Sequence, residues 1–600
     1  MKLSDYVIKT LGDYGIHKAF VVYGSACGNL IDSFVRIKNI EYIAVMHEQG
    51  ASFMAEGWAK IKGKPGVAIA TSGPGGMNLV TGIGNCFYDS VPCLFLTGQI
   101  NSRFLRPDPS IRQIGFQETD IVSIVSPITK YAKMIMRPED IRYELEKALF
   151  ICQDRRPGPV LLDLPIDVQA AEIEPDKLIG FDTTVARVPY KLSQVDEQIK
   201  RYVEDLHKAE RPVLMIGGGV RIAGAEEKVR ELGRLLAIPC FPTWNALSTI
   251  SSDYEYYAGR IGTYGGAGRN FGIQNSDLLL AIGSRISGRI TGGNVQSFAR
   301  GAKKYVVDVD PPMLQRHLQQ LPFDENILCD AKVFCEMLID AIRPRRRHIP
   351  SFISWTSKVM GWKTKYDPVR REFFENQDHV HPYAFMRILS EKMGPDDIFV
   401  ADCGGNIVVC NHAFETKWGQ RYITNNGNSP MGFSMCGAIG AWLADPSKRV
   451  VCVIGDGGMN MNIQELQTIK TNQIAIKVFI LNNHCYGITK QYQEVNFGGR
   501  YEACGPKGYS PPPFIAIATV YGLTARYIDS TEHMSGMIDE VLEFPGPIIC
   551  DVDCGDHHDY GPRLTGWNTP LEDLDPKLPR DEFRSNMIIE PLPGWEKGEY

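Results

Sequence analysis

The sequence has no long hydrophobic run, little net charge and no CxxC cysteine pair. No uninterrupted apolar stretch approaches the roughly 18 residues that a membrane-spanning helix needs, so no membrane partner is expected. The 64 basic and 70 acidic residues give a formal charge of −6 over 600 residues, which leaves no electrostatic footprint for a nucleic acid. The N-terminus has the layout of neither a signal nor a transit peptide, and the 15 scattered cysteines suit reduced thiols. We therefore expect a cytoplasmic location.

Glycine is the one excess, with 58 residues that cluster in short loops after apolar runs. A chain of 600 residues is too long for a single core, and its alternation of β-rich runs with helical periodicity indicates parallel sheets covered by helices. The predicted fold class is α/β, with three doubly wound parallel-sheet domains and a C-terminal tail. The predicted domains and tail are 1–170, 190–345, 375–555 and 556–600, with linkers near 169–194 and 343–378.

Twelve apolar runs are the predicted strands. In the first domain they are 17–22, 42–46, 66–70, 93–97 and 159–163. In the second they are 212–216, 278–282 and 304–309, and in the third 398–401, 450–454, 476–481 and 548–552.

The stretch 454–487 carries the most specific motif. An apolar strand runs into Gly455-Asp456-Gly457-Gly458, and the next strand ends at Asn482-Asn483. Glycines at a strand end let backbone N–H groups approach phosphate oxygens, and a following helix N-terminus favours an anion. Asp456 and Asn483 offer the hard oxygen ligands that Mg²⁺ prefers, at the edge of the sheet where ligands bind.

This GDG…NN pattern resembles the signature of the thiamine diphosphate enzymes. The resemblance implies that Asp456, Asn483 and the backbone carbonyl of Cys485 bind Mg²⁺. It also implies that Gly455, Gly457 and Gly458 contact the diphosphate of the cofactor.

A second stretch, 45–100, resembles the acetolactate synthase (large subunit) branch of that family. The resemblance implies that Glu48 is the catalytic glutamate, which binds the aminopyrimidine ring of the cofactor, and that Gly73, Gly75 and Gly76 form a nearby loop. In this family the glutamate and the diphosphate site lie on different subunits, so a homodimer or homotetramer with sites at the subunit interface is implied.

Two further segments resemble the same branch. Residues 427–441 resemble the segment that holds the aminopyrimidine, which implies that Met431 keeps the cofactor bent and that Ser429 offers its backbone carbonyl. Residues 115–132 resemble the loop that places Phe116 and Gln117 near the reacting carbon.

The middle domain carries three glycines after a predicted strand, in 211–220, which is a weak nucleotide-binding signal alone. With 281–293 and 305–313 it resembles the flavin-binding elements of acetolactate synthases, and Arg289 is implied to reach toward the active site. FAD, another nucleotide and an empty scaffold all remain open, because related enzymes keep this domain without flavin. The implied flavin contacts are Gly217, Gly218, Gly219, Thr243, Gly283, Arg285 and Asp308.

The chain also departs from the acetolactate synthase pattern. Tyr492 stands where the branch has a tryptophan that shapes the acceptor pocket, and Ile166 stands where it has a lysine. Gly24-Ser25 replaces a glycine pair, and Ser287-Gly288 an aspartate pair. The segment 569–589 resembles tails of synthase-like proteins associated with bacterial surface-polysaccharide synthesis, so the acceptor is left open between a 2-ketoacid and a keto-sugar.

The expected function is a thiamine diphosphate-dependent carboligase that decarboxylates a 2-ketoacid, pyruvate first, and transfers the two-carbon hydroxyethyl unit to an acceptor carbonyl. A small regulatory subunit is a further expected partner. The alternative is a 2-ketoacid decarboxylase or lyase that releases an aldehyde; its usual His-His pair is not expected to be His557-His558. A nicotinamide oxidoreductase is disfavoured because no GxGxxG precedes a suitably spaced acidic residue, and a non-catalytic paralogue because Glu48 is retained. Cys550, Cys554 and His557 fit no common zinc module.

Overall fold

The computed structural model describes residues 1–185, 190–375 and 378–600, and three parallel β-sheets are found within those ranges. Each sheet is covered by helices, so the predicted α/β fold class is confirmed. The two predicted linkers include 186–189 and 376–377, which lie outside the described residues.

The first and third sheets have six strands each and the second has five. The first has the order β2-β1-β3-β4-β6-β5 and consists of β1 (Lys18–Val21), β2 (Glu41–Ala44), β3 (Gly66–Ala70), β4 (Cys93–Gln99), β5 (Tyr131–Met134) and β6 (Pro159–Pro165). The second has the order β11-β10-β9-β7-β8 and consists of β7 (Pro212–Ile216), β8 (Cys240–Pro242), β9 (Leu278–Ile282), β10 (Lys303–Asp308) and β11 (Glu325–Leu328). The third has the order β13-β12-β14-β15-β17-β16 and consists of β12 (Ile398–Ala401), β13 (Arg421–Ile423), β14 (Val450–Gly455), β15 (Lys477–Asn482), β16 (Thr524–Ile528) and β17 (Ile548–Asp553).

The helices alternate with these strands. Those up to the second sheet are α1 (Leu3–Asp13), α2 (Gly28–Arg36), α3 (Glu48–Lys62), α4 (Pro74–Asn78), α5 (Val80–Asp89), α6 (Ile121–Val125), α7 (Ile141–Gln153), α8 (Ile166–Ala170) and α9 (Leu192–Leu206). Those from the second sheet to the third are α10 (Gly219–Ile222), α11 (Glu226–Leu236), α12 (Phe271–Gln274), α13 (Gly288–Thr291), α14 (Pro311–Gln320), α15 (Ala331–Ile342), α16 (Ile353–Lys365) and α17 (Pro382–Lys392). The rest are α18 (Gly405–Ala413), α19 (Phe433–Ala444), α20 (Asp456–Met461), α21 (Leu466–Thr471), α22 (Gly487–Phe497), α23 (Phe514–Val520), α24 (Thr531–Glu543) and α25 (Arg580–Asn586).

All twelve predicted strands are present, and five strands were not predicted. The five are β5, β8, β11, β13 and β16, and each lies at the edge of its sheet. Edge strands have a neighbour on one side only and are often short or partly exposed, so they lack the continuous apolar run that marks a central strand.

Helices α3 and α19 join the first sheet to the third. A methyl group added at Gly57 would lie closer than 3.0 Å to the Gly437 carbonyl oxygen, and one added at Gly440 would collide with the Met54 carbonyl in the same way. Because glycine has no side chain, the two helix backbones come into direct contact. Residues of both domains consequently belong to one continuous buried core.

The predicted linker at 343–378 contains more structure than expected. Helix α16 lies within it, and the side chains of Trp355 and Trp362 are buried against the second domain. The prediction of a linker was therefore wrong for this helix. Its two tryptophans provide the apolar surface that packs on the domain, but the Pro- and Arg-rich residues on either side made the whole segment look like a linker.

The tail folds back on the second domain of its own chain. Leu571, Phe583 and Met587 are buried in a cluster that includes Phe271, and Trp362 donates a 2.8 Å hydrogen bond from its indole nitrogen to Asn586. All fifteen cysteines lie in described segments and are free thiols, fourteen of them buried. In the described part of the chain, every helix is too short or too polar to span a bilayer.

We predict that Gly57→Ala destabilises the protein by about 2 kcal/mol or more, because its methyl group forces the backbones of α3 and α19 apart. Gly361→Ala is the matched control: it also lies within a helix, α16, but an added methyl group meets nothing within 4 Å. It should be neutral or stabilising by up to about 1 kcal/mol, since alanine is the better helix former. Thermal melting of both variants measures the difference, and equal melting temperatures would contradict the prediction.

Candidate active site

A cleft opens at the carboxyl edge of the third sheet. Strands β14 and β15 are neighbours with Gly455 opposite Leu481, so Asp456 and Asn483 follow their strands at the same edge. The cleft is partly open to solvent. Its lining includes Asp402, Cys403, Gly404, Gly405, Asn406, Met431, Gly455, Asp456, Gly457, Gly458, Asn483, Cys485, Tyr486, His557 and Tyr560. The site residues predicted from the GDG…NN motif are thus brought together.

Asp456 is a buried carboxylate with one oxygen unpaired. Its Oδ1 accepts a 2.7 Å hydrogen bond from the Gly457 N–H, while its buried Oδ2 has no partner within hydrogen-bond distance among the described residues. The Tyr509 hydroxyl is near enough to oppose the rise in the pKa of this carboxyl without forming such a bond. Burial raises the pKa of Asp456 to about 7. A cation in the cleft would supply the missing partner and favour the ionised form, so the residue fits a divalent metal.

The three glycines of the motif pack closely against neighbouring side chains. A methyl group at Gly455 would lie 2.5 Å from the Asn406 amide nitrogen, and one at Gly458 would collide with the Asp402 carboxylate. One at Gly457 would lie 2.9 Å from the Met431 methyl carbon. The backbone N–H groups of this loop, at the N-terminus of α20, are therefore not covered by side chains at these glycines and can contact an anion.

Asn483 and Cys485 follow strand β15. The Asn483 amide nitrogen donates a 2.7 Å hydrogen bond to the His557 carbonyl oxygen. Cys485 is 3% exposed, and burial raises the pKa of its thiol to about 12. Its sulfur is protonated at neutral pH, which leaves the backbone carbonyl as its means of binding a hard cation.

The turn that carries Ser429 and Met431 is fixed by a buried carboxylate. Asp402 accepts hydrogen bonds from the Gly432 and Ser434 N–H groups at 3.0 and 3.4 Å. Ser429 adopts a left-handed backbone with φ of +54°, and the Met431 side chain lines the cleft.

Glu48 forms a separate half-site with other loops of the first domain. It begins α3, is 8% exposed, and accepts a 2.9 Å hydrogen bond from the Asn78 amide. Gln117 has a φ of +62°, and a methyl group at Gly73 would lie 2.9 Å from its carbonyl oxygen. Phe116 is 84% exposed. None of these residues is among those lining the Asp456 cleft of the same chain in its described part.

A second cleft lies between the first and second domains. Its lining includes seven predicted residues, namely Gly218, Gly219, Thr243, Gly283, Arg285, Arg289 and Asp308. Gly217 lies behind this surface, where a side chain would collide with the Gly283 carbonyl oxygen. Burial raises the pKa of Asp308.

Arg289 lies between the two clefts. Its guanidinium carbon is 5.0 Å from the centre of a Trp244 ring in the second cleft. Burial raises the pKa of the Cys403 thiol, which lines the first cleft, and the nearby charge of Arg289 opposes that shift. Arg289 is therefore close to the residues of both clefts.

His557 and Tyr560, which the sequence analysis did not place in the site, also line the Asp456 cleft. Burial lowers the pKa of His557 to about 4, so its imidazole is neutral. Their position in the sequence could have indicated this. Both residues follow the predicted strand β17, whose carboxyl end lies at the same edge of the sheet as those of β14 and β15.

Comparisons with known proteins match nearly the whole chain. Three family models of thiamine pyrophosphate enzymes match it: the N-terminal TPP binding domain at 1–124, the central domain at 199–338 and the C-terminal TPP binding domain at 402–552.

Individual relatives cover most of the chain as well. Acetolactate synthase isozyme 2 large subunit of Escherichia coli (strain K12) is 30% identical over 595 residues, or 98% of this chain and 99% of that protein. A probable acetolactate synthase large subunit of Methanococcus aeolicus is 32% identical over 559 residues, or 89% of each chain. Acetolactate synthase 2, chloroplastic, of Brassica napus is 31% identical over 569 residues, or 93% of this chain and 86% of that protein.

We predict that Asp456→Asn leaves the metal-free protein as stable as the parent or more stable at pH 8, because it removes a buried charge that lacks a partner. The same change should abolish the rise in melting temperature on adding Mg²⁺. Asp402→Asn is the matched control, since it is equally buried but both of its oxygens accept backbone hydrogen bonds. Asp402→Asn should destabilise the metal-free protein. A large loss of stability in Asp456→Asn would contradict the prediction, because it would show that the charge of the Asp456 carboxylate is already stabilised in the metal-free protein.

Proposed function

Because this chain belongs to the thiamine pyrophosphate enzymes, in the acetolactate synthase branch, we propose that it condenses two carbonyl compounds after decarboxylating a 2-ketoacid donor. It is an enzyme of the acetolactate synthase type. The observation that carries the proposal is the buried, half-paired carboxylate of Asp456 beside Asn483, among bare glycines. Pyruvate is the proposed donor, because the relatives are named acetolactate synthases.

The residues of the third domain would hold the cofactor and its metal. Asp456, Asn483 and the carbonyl of Cys485 are the proposed Mg²⁺ ligands, and the N–H groups from Gly455 to Gly458 would meet the diphosphate. Met431 would support the bend between the two cofactor rings, and Ser429 would offer its carbonyl to the aminopyrimidine. Thiamine diphosphate, when bound, supplies the carbon that adds to the donor and holds the electron pair released with CO₂.

Glu48 would hold and move a proton at the aminopyrimidine ring, which is general acid–base chemistry. Within one chain it lies on the first-domain half-site and does not line the Asp456 cleft, so we propose that a second copy supplies it. The half-site supports this proposal because its surface exposes large apolar side chains, among them Tyr23 (68%), Met77 (53%) and Phe116 (84%). A homodimer is then the smallest active unit, and a homotetramer is compatible. The relatives are named large subunits, which favours a small partner subunit as well.

The second cleft is the proposed FAD site. Gly218 precedes helix α10, Gly219 begins it and Asp308 ends β10, and all three line the cleft. The remaining proposed contacts line the same surface, except Gly217, which supports it from behind. Carboligation transfers no net electrons, so a flavin here would be structural. Gln117 and Arg289 are proposed to seat the substrate and Phe116 to face it.

The acceptor is proposed to be a 2-ketoacid or a keto-sugar. Tyr492, in the position of the family tryptophan, is 59% exposed on α22, the helix that begins beside the cleft. A smaller aromatic ring leaves more room for an acceptor larger than a 2-ketoacid. A simple decarboxylase remains the second candidate, favoured by His557, a neutral imidazole that lines the cleft.

We predict that the purified protein with thiamine diphosphate and Mg²⁺, given pyruvate as the sole substrate, releases CO₂. It should also form the product in which the two-carbon hydroxyethyl unit is added to a second pyruvate. The measurement is a mass-spectrometric survey with pyruvate alone, with pyruvate plus candidate 2-ketoacids, and with pyruvate plus nucleotide-linked keto-sugars. The preferred acceptor should suppress the other products. Formation of acetaldehyde alone under every condition would favour the decarboxylase instead.

We predict that Glu48→Gln lowers turnover by about 100-fold or more, because an amide cannot exchange the proton that the carboxylate holds. Thiamine diphosphate should still bind within a few-fold of the parent affinity, since the metal and diphosphate contacts are unchanged. Glu41→Gln, at an exposed position on β2, is the control and should retain parent turnover. Full activity in Glu48→Gln would exclude the assigned role.

A further inference from the structure

The Asn483 amide is held in one orientation by the tail of the chain. Only the NH₂ group of an amide can donate a hydrogen bond, and this group donates to the His557 carbonyl oxygen at 2.7 Å. The amide oxygen is thereby left as the group available to a ligand in the cleft that Asn483 lines. Because the partner is a main-chain carbonyl, the contact depends on the backbone position of the 556–560 segment.

Tyr560 locks this segment into the wall of the cleft. Its ring is 5% exposed and occupies space that exists only because Gly405 and Gly487 have no side chains: a methyl group at either would collide with it. Its hydroxyl lies 3.4 Å from the Asn483 amide nitrogen and 3.5 Å from the His557 carbonyl oxygen. One tyrosine therefore contacts the start of α18, the start of α22 and the Asn483 amide.

Polar contacts fasten the same segment to helix α22. The Lys490 ammonium lies 2.6 Å from Asp556, and the Gln491 amide donates to Asp559 at 3.1 Å. Lys490 is 7% exposed, so this ion pair is partly shielded from solvent. Further along, the Leu564 N–H donates to the Thr263 carbonyl oxygen at 2.6 Å, which leads the tail onto the second domain.

We propose that residues 556–560, the first part of the tail after β17, complete the metal half of the site by positioning the Asn483 amide. This inference rests on the proposed function, in which Asn483 is a metal ligand. His557 and Tyr560 act here as positioning residues and touch no metal. Because the segment must be docked for the amide oxygen to face the cleft, metal binding and docking of the segment stabilise each other.

The experiment measures metal and cofactor binding rather than turnover. Intrinsic fluorescence is followed while Mg²⁺ is titrated into the protein with a fixed excess of thiamine diphosphate. Tyr560→Ala should weaken the apparent Mg²⁺ affinity about tenfold or more, and Tyr560→Phe by about two- to fivefold, because the first removes the packing and the second only the hydroxyl. Hydrogen exchange of the backbone amides at 556–563 in the parent should slow when Mg²⁺ and thiamine diphosphate are added together.

Tyr254 provides matched controls. It is 2% exposed, and its hydroxyl donates to a main-chain carbonyl, that of Arg230, at 2.7 Å in the second domain. Tyr254→Phe and Tyr254→Ala should lower the melting temperature without changing the Mg²⁺ affinity.

The possible outcomes separate the two claims. Parent-like Mg²⁺ affinity in Tyr560→Phe together with unchanged hydrogen exchange at 556–563 would overturn this inference and leave the proposed function intact. Parent protein that binds no thiamine diphosphate at any Mg²⁺ concentration would overturn both. If Tyr560→Ala does not fold, the phenylalanine variant and the exchange experiment on the parent still decide the matter.

Discussion

Direct backbone contact between α3 and α19 is the constraint on which the candidate site depends. Gly57 and Gly440 let the two helices meet without intervening side chains, and Glu465 accepts hydrogen bonds from the Met46 and His47 N–H groups just before α3 begins. Helix α3 carries Glu48 at its N-terminus, and α19 follows the turn of Met431. The position of one half-site relative to the other is therefore fixed by main-chain geometry, which tolerates far less adjustment than packed side chains do.

The sequence predicted the central strands of each sheet and one edge strand, β2, but it missed the other five edge strands of the described chain. The central strands β3, β7, β9 and β12 have the predicted bounds, since both faces are buried and every residue of the run is apolar or small. Edge strand β16, by contrast, reads Thr-Ala-Arg-Tyr-Ile and is largely half-exposed. Such a segment has neither the apolar run of a buried strand nor a clear alternation, so its pairing is decided by contacts that are distant in the chain.

The site divides along a similar line. Asp456 and Asn483 were predictable because a motif and a strand end coincide, and both features are local in sequence. His557 and Tyr560 were not, because the roles proposed for them arise from a carbonyl oxygen and from the space that two glycines leave, neither of which has a residue-type signature. The separation of Glu48 from Asp456 was implied by the family resemblance, and in the structure Glu48 is not among the described residues that line the Asp456 cleft of the same chain.

The first and third sheets repeat one strand order, in which β1 to β6 correspond in turn to β12 to β17. The loops that carry the proposed site residues correspond as well. Glu48 follows β2 and Met431 follows the corresponding strand, β13. Gly73 and Asp456 follow β3 and β14, and Gln117 and Asn483 lie in the segments after β4 and β15. The chain is thus internally pseudo-symmetric, as expected of a duplicated domain. The two proposed halves of the site are therefore formed by corresponding loops of one repeated fold.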